Sequence, residues 1–143
     1  MVAVSGITPS GRLTLGNYLG ALRRFAGDTG EEPGFYFVAD LHAMTTRHEP
    51  QRLRLLTRET ALLLLASGLP AGSVFVQSAV PAHAQLAYLL ECVATTGELN
   101  RMIQFKEKGR GVDPTRVSLF TYPALMAADI LLYRPEEVPV GAD

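Results

Sequence analysis

The chain has 143 residues, 48% of them hydrophobic, and its 13 basic residues nearly balance its 14 acidic ones. The apolar content excludes a disordered chain, the single cysteine excludes a disulfide framework, and the net charge of −1 excludes a general basic coat for nucleic acid. Charged residues make up 19% of the chain, against about 25% in typical domains. This deficit favours an apolar face that is covered by a second copy of the chain or by a segment missing from it.

The N-terminal segment predicts a strand at residues 2–7, a glycine-rich turn at 8–11 and a helix at 15–25, where apolar residues recur every three or four positions. Glycines in such a turn let the backbone approach a ligand, and the first N–H groups of the next helix suit a phosphate. An ordinary turn followed by a helix N-cap explains the same residues. The spacing alone leaves both interpretations open.

Strands and helices alternate through the middle of the chain. The pattern predicts strands at residues 35–39 and 73–77 and helices at 51–66 and 83–94, with Gly68 ending the first helix. The strand at 35–39 is a continuous apolar run, as expected for a strand covered on both faces. The alternation predicts an α/β fold, a Rossmann-like open parallel sheet with flanking helices, with function at the carboxyl ends of the strands.

The last third of the chain is more helical. We predict helices at residues 98–108 and 118–133, separated by a glycine- and proline-containing loop at 109–114. Pro123 is expected to interrupt the second helix early, and Pro135 to stop it. Residues 138–140 resemble the start of a fourth strand with no helix to cover it, so we expect a truncated domain.

Three further features limit the chemistry. The longest apolar run, residues 61–66, is too short for a bilayer and residues 1–9 lack a signal-peptide core, which predicts a cytoplasmic protein. Cys92 lies in the middle of an apolar helix, where we expect a buried, inert thiol, so a hydrolase using this cysteine is the weakest hypothesis. The three histidines, His42, His48 and His83, lack ligand-like spacing, which predicts no metal site.

Several segments resemble one family, in the same order. Thr14-Leu15-Gly16-Asn17 resembles a variant HIGH signature of class I aminoacyl-tRNA synthetases, and residues 5–11 are similar to the opening of the tryptophanyl-tRNA synthetases. Residues 80–85, 97–102, 104–108, 122–131 and 138–141 resemble the same family. The Met-Ala-Ala-Asp-Ile-Leu-Leu-Tyr run at 126–133 separates it from the related tyrosyl enzymes.

The resemblance implies a tryptophan pocket. Asp129 would accept the indole N–H, Met126 would pack on the ring from the same helix face, and Tyr122 would bind the α-amino group. A buried acceptor rejects side chains that lack a donor. The implied tryptophan-binding residues are Val4, Gly6, Ala39, His42, Tyr122, Met126, Asp129, Val138 and Val140.

Residue chemistry without the resemblance favours simpler roles for two of these side chains. Most aspartates are exposed helix or loop residues, although the apolar neighbours of Asp129 weaken that interpretation. A lone histidine at a strand end, such as His42, is more often a structural hydrogen-bonding residue than a ligand contact.

The resemblance also implies a site for ATP, which with Mg²⁺ is a substrate; no tightly bound cofactor is implied. Lys108 would approach the substrate carboxylate and ATP, whereas the other cations around it are interpreted as a solvated basic stretch. The implied catalytic residues are Thr14, Asn17 and Lys108. The implied ATP-binding residues are Thr8, Ser10, Gly11, Gly16, Asn17, Val140 and Gly141.

Three residues depart from the family pattern. Thr8 stands where bacterial members commonly have glutamine, and Val4 and Ala39 are smaller than the Phe and Val expected beside the indole. Because a hydroxyl reaches less far than an amide, we expect the substrate carboxylate to be held differently or through water. We also expect a roomier pocket.

The resemblance implies the N-terminal part of a nucleotide-binding catalytic domain, over residues 1–143. The full enzyme would activate L-tryptophan to tryptophanyl-adenylate, transfer it to tRNA(Trp) and form a homodimer. The lysine-containing KMSKS-type loop and the anticodon-binding helical domain are absent from these residues, so we expect weak catalysis or none from them alone. The alternative is a short non-catalytic paralogue that acts as a tryptophan-binding or interaction module.

Overall fold

The computed structural model describes residues 2–11, 34–101 and 116–139. Within these ranges three parallel strands form one sheet in the order β1-β2-β3: β1 (Val4–Ile7), β2 (Phe35–Val38) and β3 (Val74–Val76). The helices are α1 (Asp40–Ala43), α2 (Pro50–Ala66), α3 (Ala82–Val93), α4 (Thr96–Leu99) and α5 (Val117–Leu131). Short 3-10 turns, Ala71–Ser73 and Gln77–Ala79, flank β3. The predicted helix at 15–25, the predicted loop at 109–114 and most of the predicted helix at 98–108 lie outside the described residues.

A further segment lies beside β1, on the side away from β2. Ala3 and Glu137 form a parallel bridge, in which the Val4 N–H donates to the Glu137 carbonyl at 3.1 Å. The Ser5 hydroxyl also donates to the Pro139 carbonyl at 2.7 Å. Successive strands therefore progress from β1 to β3 in one direction, and residues 137–139 return to the other side of β1. In open α/β sheets, such a reversal of strand order marks the crevice in which ligands bind.

The β2 strand is covered on both faces, as its continuous apolar run predicts. Tyr36 and Val38 pack on Leu64 and Leu69, in and after α2. Phe35 and Phe37 pack on the opposite face, with Val4, Ala39, Phe75 and Tyr133. Because side chains alternate along a strand, four consecutive apolar residues supply two separate cores.

The ends of α2 follow local sequence signals. The Glu49 carboxylate accepts hydrogen bonds from the N–H groups of Gln51 and Arg52, which lowers the pKa of Glu49. Pro50 takes the first helical position, where a missing N–H costs little. After the helix, Gly68 adopts φ 99°, a left-handed conformation that favours glycine, so it ends the helix as predicted.

The α5 helix corrects one expectation, because it runs without a break from Val117 through Pro123 to Leu131. Proline in its second turn removes one backbone hydrogen bond, but α5 packs along α3 in the most extensive contact between elements of the described ranges. This packing stabilises the helix against the loss. Arg134, with φ 45°, and Pro135 then end the helical region.

The outer face of α3 corrects a second expectation. Cys92 is exposed rather than buried. His83 and Ala87 are the α3 residues that are buried, whereas Tyr88, Leu89 and Val93 are 65%, 62% and 76% exposed. Apolar residues occur on both the covered and the exposed face of this helix, so their positions did not indicate that Cys92 would be exposed. Among the described helices, none has the length and apolar character needed to cross a bilayer.

Candidate functional site

A cavity of about 1010 Å³ lies at the carboxyl ends of β1 and β2. One wall is formed by β1 and the turn after it, residues 4–10, and another by the α5 side chains of Tyr122, Met126 and Asp129. Val138 and Pro139 close the side where the strand order reverses. The cavity therefore occupies the crevice that the sheet topology designates for ligands.

The cavity collects nearly all the predicted tryptophan-binding residues. It is lined by Val4, Gly6, Ala39, His42, Tyr122, Met126, Asp129 and Val138, and Val140 lies outside the described residues. Of the predicted ATP-binding residues, Thr8 and Ser10 line it and Gly11 does not. The other predicted ATP-binding and catalytic residues lie outside the described ranges: Thr14, Gly16, Asn17, Lys108, Val140 and Gly141.

Helical spacing explains how α5 supplies three of these side chains. Tyr122, Met126 and Asp129 are separated by four and three positions, so they lie on one helix face. Met126 is 41% exposed and Asp129 is 5% exposed. Burial raises the pKa of Tyr122, so its hydroxyl stays protonated and able to donate at neutral pH. One face thus presents an apolar thioether, a hydroxyl and a carboxylate to the cavity.

The Asp129 carboxylate has hydrogen bonds on both oxygens. His83 Nδ1 lies 2.6 Å from Oδ1, and His42 Nε2 lies 2.7 Å from Oδ2. Gln77 Nε2 donates to both oxygens, at 2.8 and 2.9 Å. Burial raises the pKa of Asp129, but the hydrogen bonds from His42, His83 and Gln77 outweigh it and leave the pKa below its usual value. The group is therefore an anion at neutral pH.

Gln77 follows β3 directly and is fully buried. Its Oε1 accepts the Leu41 N–H at 3.2 Å, so the amide nitrogen has to face the acceptor-only carboxylate. The same end of β3 is tied to α1 by Asp40, which accepts from the N–H and hydroxyl of Ser78. These bonds fix the backbone of the short α1 helix relative to the sheet.

His83 is fully buried on α3 and has a partner on each ring nitrogen. Since a carboxylate only accepts, Nδ1 donates to Asp129, while Nε2 lies 2.8 Å from the Tyr133 hydroxyl oxygen. The ring packs against those of Phe37, Phe75 and Tyr133 at centroid distances of 5.5, 6.1 and 5.5 Å. Burial, with a smaller contribution from the Asp129 charge, raises the pKa of Tyr133.

Sequence reasoning gave no site role to Gln77, His83 or Tyr133. Two signals were available: a polar residue directly after an apolar strand, and a histidine on an apolar helix. Neither signal names a partner, because residues 77, 83 and 129 meet only in the folded chain. Every buried side-chain nitrogen and oxygen of the described residues has a hydrogen-bond partner.

Gly6 has a packing reason for its lack of a side chain. A Cβ atom at this position would lie 2.6 Å from Cε2 of Phe37, a distance that real contacts do not reach. Phe37 lines the cavity beside Gly6. A glycine in β1 therefore allows an aromatic ring to form part of the cavity wall.

In residues 2–11, 34–101 and 116–139, no group of three or more His, Cys, Asp or Glu side chains could hold a metal ion. The imidazole groups of His42 and His83 each form a hydrogen bond with the Asp129 carboxylate instead.

Comparisons with known proteins agree along the whole chain. Residues 1–143 match the family described as tRNA synthetases class I (W and Y). Tryptophan–tRNA ligase 1 of Streptomyces coelicolor is 56% identical over 147 residues, which cover 97% of this chain and 44% of the relative. The tryptophan–tRNA ligase of Bacillus anthracis is 49% identical and is covered to the same 44%. The chain thus spans less than half the length of these curated relatives.

Solved structures share the fold. The tryptophanyl-tRNA synthetase from Mycoplasma pneumoniae is 42% identical with a TM-score of 0.89, and the match covers 99% of this chain and 42% of that one. The enzyme from Campylobacter jejuni, complexed with ADP and tryptophan, is 33% identical with a TM-score of 0.91, and the match covers 99% and 45%. These similarities confirm the predicted Rossmann-like open parallel sheet.

Proposed function

Because the chain belongs to the class I tRNA synthetases of the tryptophan and tyrosine group, we propose that it forms the tryptophan-binding part of a tryptophan–tRNA ligase. Residues 1–143 are then the N-terminal part of the nucleotide-binding catalytic domain. The enzyme joins L-tryptophan to ATP, releases pyrophosphate and transfers the amino acid from tryptophanyl-adenylate to tRNA(Trp). The names of the relatives support this choice and do not favour the non-catalytic paralogue.

One observation carries the choice of amino acid: a buried anionic carboxylate in the cavity wall, on the same helix face as the Met126 side chain. An indole ring has a single N–H donor in an aromatic body. In the proposal Asp129 accepts a hydrogen bond from that N–H, Met126 contacts the ring and Tyr122 binds the α-amino group. A phenylalanine side chain brings no N–H to the carboxylate, so it lacks the hydrogen bond that an indole N–H forms with this charged acceptor.

The nucleotide part of the proposal uses the turn after β1. Thr8 and Ser10 bring hydroxyl groups to the cavity that Asp129 lines, so amino acid and ATP meet in one space. Mg²⁺ accompanies ATP as part of that substrate. Thr14, Asn17 and Lys108 keep their predicted catalytic roles, and Gly11, Gly16, Val140 and Gly141 their predicted ATP contacts. In such a transfer the protein acts by positioning groups and stabilising charge.

The proposal includes a homodimer in the cytoplasm. The exposed apolar side chains of Tyr88, Leu89 and Val93 on α3 support the dimer, since large contiguous apolar surfaces commonly mark protein interfaces. Light scattering tests this part, and a stable monomer would contradict it.

Calorimetric titration with tryptophan, tyrosine and phenylalanine tests the amino acid. We expect saturable binding of tryptophan and at least about tenfold weaker binding of phenylalanine, because phenylalanine cannot form the hydrogen bond to the charged acceptor. Asp129→Asn should remove most of that difference. The matched control is Glu91→Gln, which removes one negative charge from the exposed side of α3. Equal affinity for the three amino acids in the unaltered protein would refute the proposal.

A further inference from the structure

The chain's own side chains take every acceptor position of the Asp129 carboxylate. A carboxylate offers about four lone-pair positions. Oδ1 accepts from His83 and Gln77, and Oδ2 accepts from His42 and Gln77. A substrate N–H can therefore bind this carboxylate well only if one of the three donors yields its position.

Two of the three donors are held too firmly to yield. Gln77 is fully buried, and its Oε1 accepts a hydrogen bond from the Leu41 N–H at 3.2 Å. His83 is fully buried as well, with Tyr133 on its second ring nitrogen and aromatic rings around it. Displacing either side chain would break a second hydrogen bond and open the core.

His42 differs from both. Its side chain keeps 17% of its surface exposed, and it lines the cavity. It lies on α1, a helix of only four residues, next to the solvent-accessible space that Met126 and Tyr122 share. Its ring can move into that space without breaking the bonds of Gln77 or His83.

We propose that Gln77 and His83 are positioning residues that hold the Asp129 carboxylate in place, and that His42 is the exchangeable donor that yields Oδ2 to the ring N–H of the substrate. The inference rests on the proposed function, which supplies tryptophan as the substrate. Exchanging one N–H for another keeps the buried anion paired before and after binding. A ligand without the donor either meets His42 in its path or leaves Oδ2 unpaired, so the exchange adds to selectivity.

The test uses tryptophan and its benzothiophene analogue, in which sulfur replaces the ring N–H. We expect the unaltered protein to prefer tryptophan. His83→Leu removes a donor to Oδ1 and should reduce that preference roughly tenfold, because a hydrogen bond to a charged group is lost and the carboxylate can turn. His83→Asn should keep most of the preference, since its amide N–H₂ can take the place of Nδ1. An equal loss of affinity for both ligands in His83→Leu would show a merely structural role and overturn the inference.

A second measurement needs no variant. In the protein labelled with ¹⁵N-histidine, saturating tryptophan should shift the Nε2 resonance of His42, the analogue should shift it less, and the His83 resonances should change least. Tryptophan binding with an unmoved His42 resonance would overturn the inference and leave the proposed function standing. If the unaltered protein binds neither ligand, the proposed function fails first and the inference with it.

Discussion

The two faces of the β-sheet differ in the side chains that pack against β2. On one face, Tyr36 and Val38 of β2 form a hydrophobic cluster with Leu64 and Leu69. On the other face Phe37 packs beside His83, whose ring nitrogen reaches Asp129 at the cavity wall. One face stabilises the sheet, and the other combines packing with a buried polar network.

The difference suggests that apolar contacts on one face determine stability, whereas hydrogen bonds on the other face also determine which ligand group the cavity would accept. Apolar contacts have no direction, so substitutions in the cluster of Tyr36, Val38, Leu64 and Leu69 should change stability without changing which group the cavity accepts. Hydrogen bonds to a buried anion are directional, so substitutions on the α3 and α5 face change both. Three substitutions or conditions test this separation.

The largest effect is expected from Leu64→Ala, on the α2 face. Leu64 is 1% exposed, so truncation should leave a cavity and lower the free energy of unfolding by about 3 kcal/mol, measured by urea denaturation. Leu62→Ala on the same helix is the matched control, because Leu62 is 64% exposed, and it should change stability by less than about 0.5 kcal/mol. The preference for tryptophan over its sulfur analogue should persist in Leu64→Ala. A changed preference would mean that the faces are coupled.

A smaller effect is expected from Gly6→Ala, on the cavity face. The new methyl group would lie 2.6 Å from the Phe37 ring, so the ring must shift, at a cost of about 1 to 3 kcal/mol in unfolding free energy. Since Phe37 lines the cavity, tryptophan affinity should fall as well, as measured by calorimetry. Gly72→Ala is the control, because nothing lies within 4 Å of its added Cβ. Unchanged tryptophan affinity in Gly6→Ala would argue against a role for the Phe37 ring in binding.

The smallest effect is expected from acid. The pKa of Asp129 is below its usual value of 3.8 in the folded chain, so folding favours the ionised form. This stabilisation is fully present above pH 3.8 and is lost as the pH falls through the folded-state pKa. Glu49 and Glu98, whose pKa values backbone hydrogen bonds also lower, add to the same loss. Urea denaturation should therefore show a smaller acid-induced loss in Asp129→Asn than in the unaltered protein, and equal losses would contradict the assignment.

Local patterns predicted the elements well, because each depends on residues close in sequence. The α2 helix and β2 strand lie within one residue of their predicted bounds, and Gly68 ends α2 for the expected reason. Cys92 was misjudged because an apolar helix does not reveal which face its neighbours cover. Pro123 was misjudged because contact with α3 stabilises a helix that propensity alone would break.

The residues that line the cavity could be predicted from the sequence, but the hydrogen bonds between them could not. Eight of the residues that the family resemblance implied for tryptophan binding line the cavity, including Asp129 and Met126. It did not provide the partners of the Asp129 carboxylate, since Gln77 and His83 come from different elements and meet it only through the packing of α3 and α5. Cavity-lining residues lie in short motifs that can be identified from the sequence. The hydrogen bonds that position Asp129 depend on tertiary structure.

The bond between Ser5 and Pro139 joins positions 134 residues apart, and the bridge at Glu137 has a similar span. During synthesis, β1 therefore leaves the ribosome long before residues 137–139, which flank its second edge, have been made. Until then the nascent chain carries a bare strand edge and half a pocket, which is the kind of surface that chaperones bind and aggregates grow from. The cavity is therefore among the last features of this region to be completed.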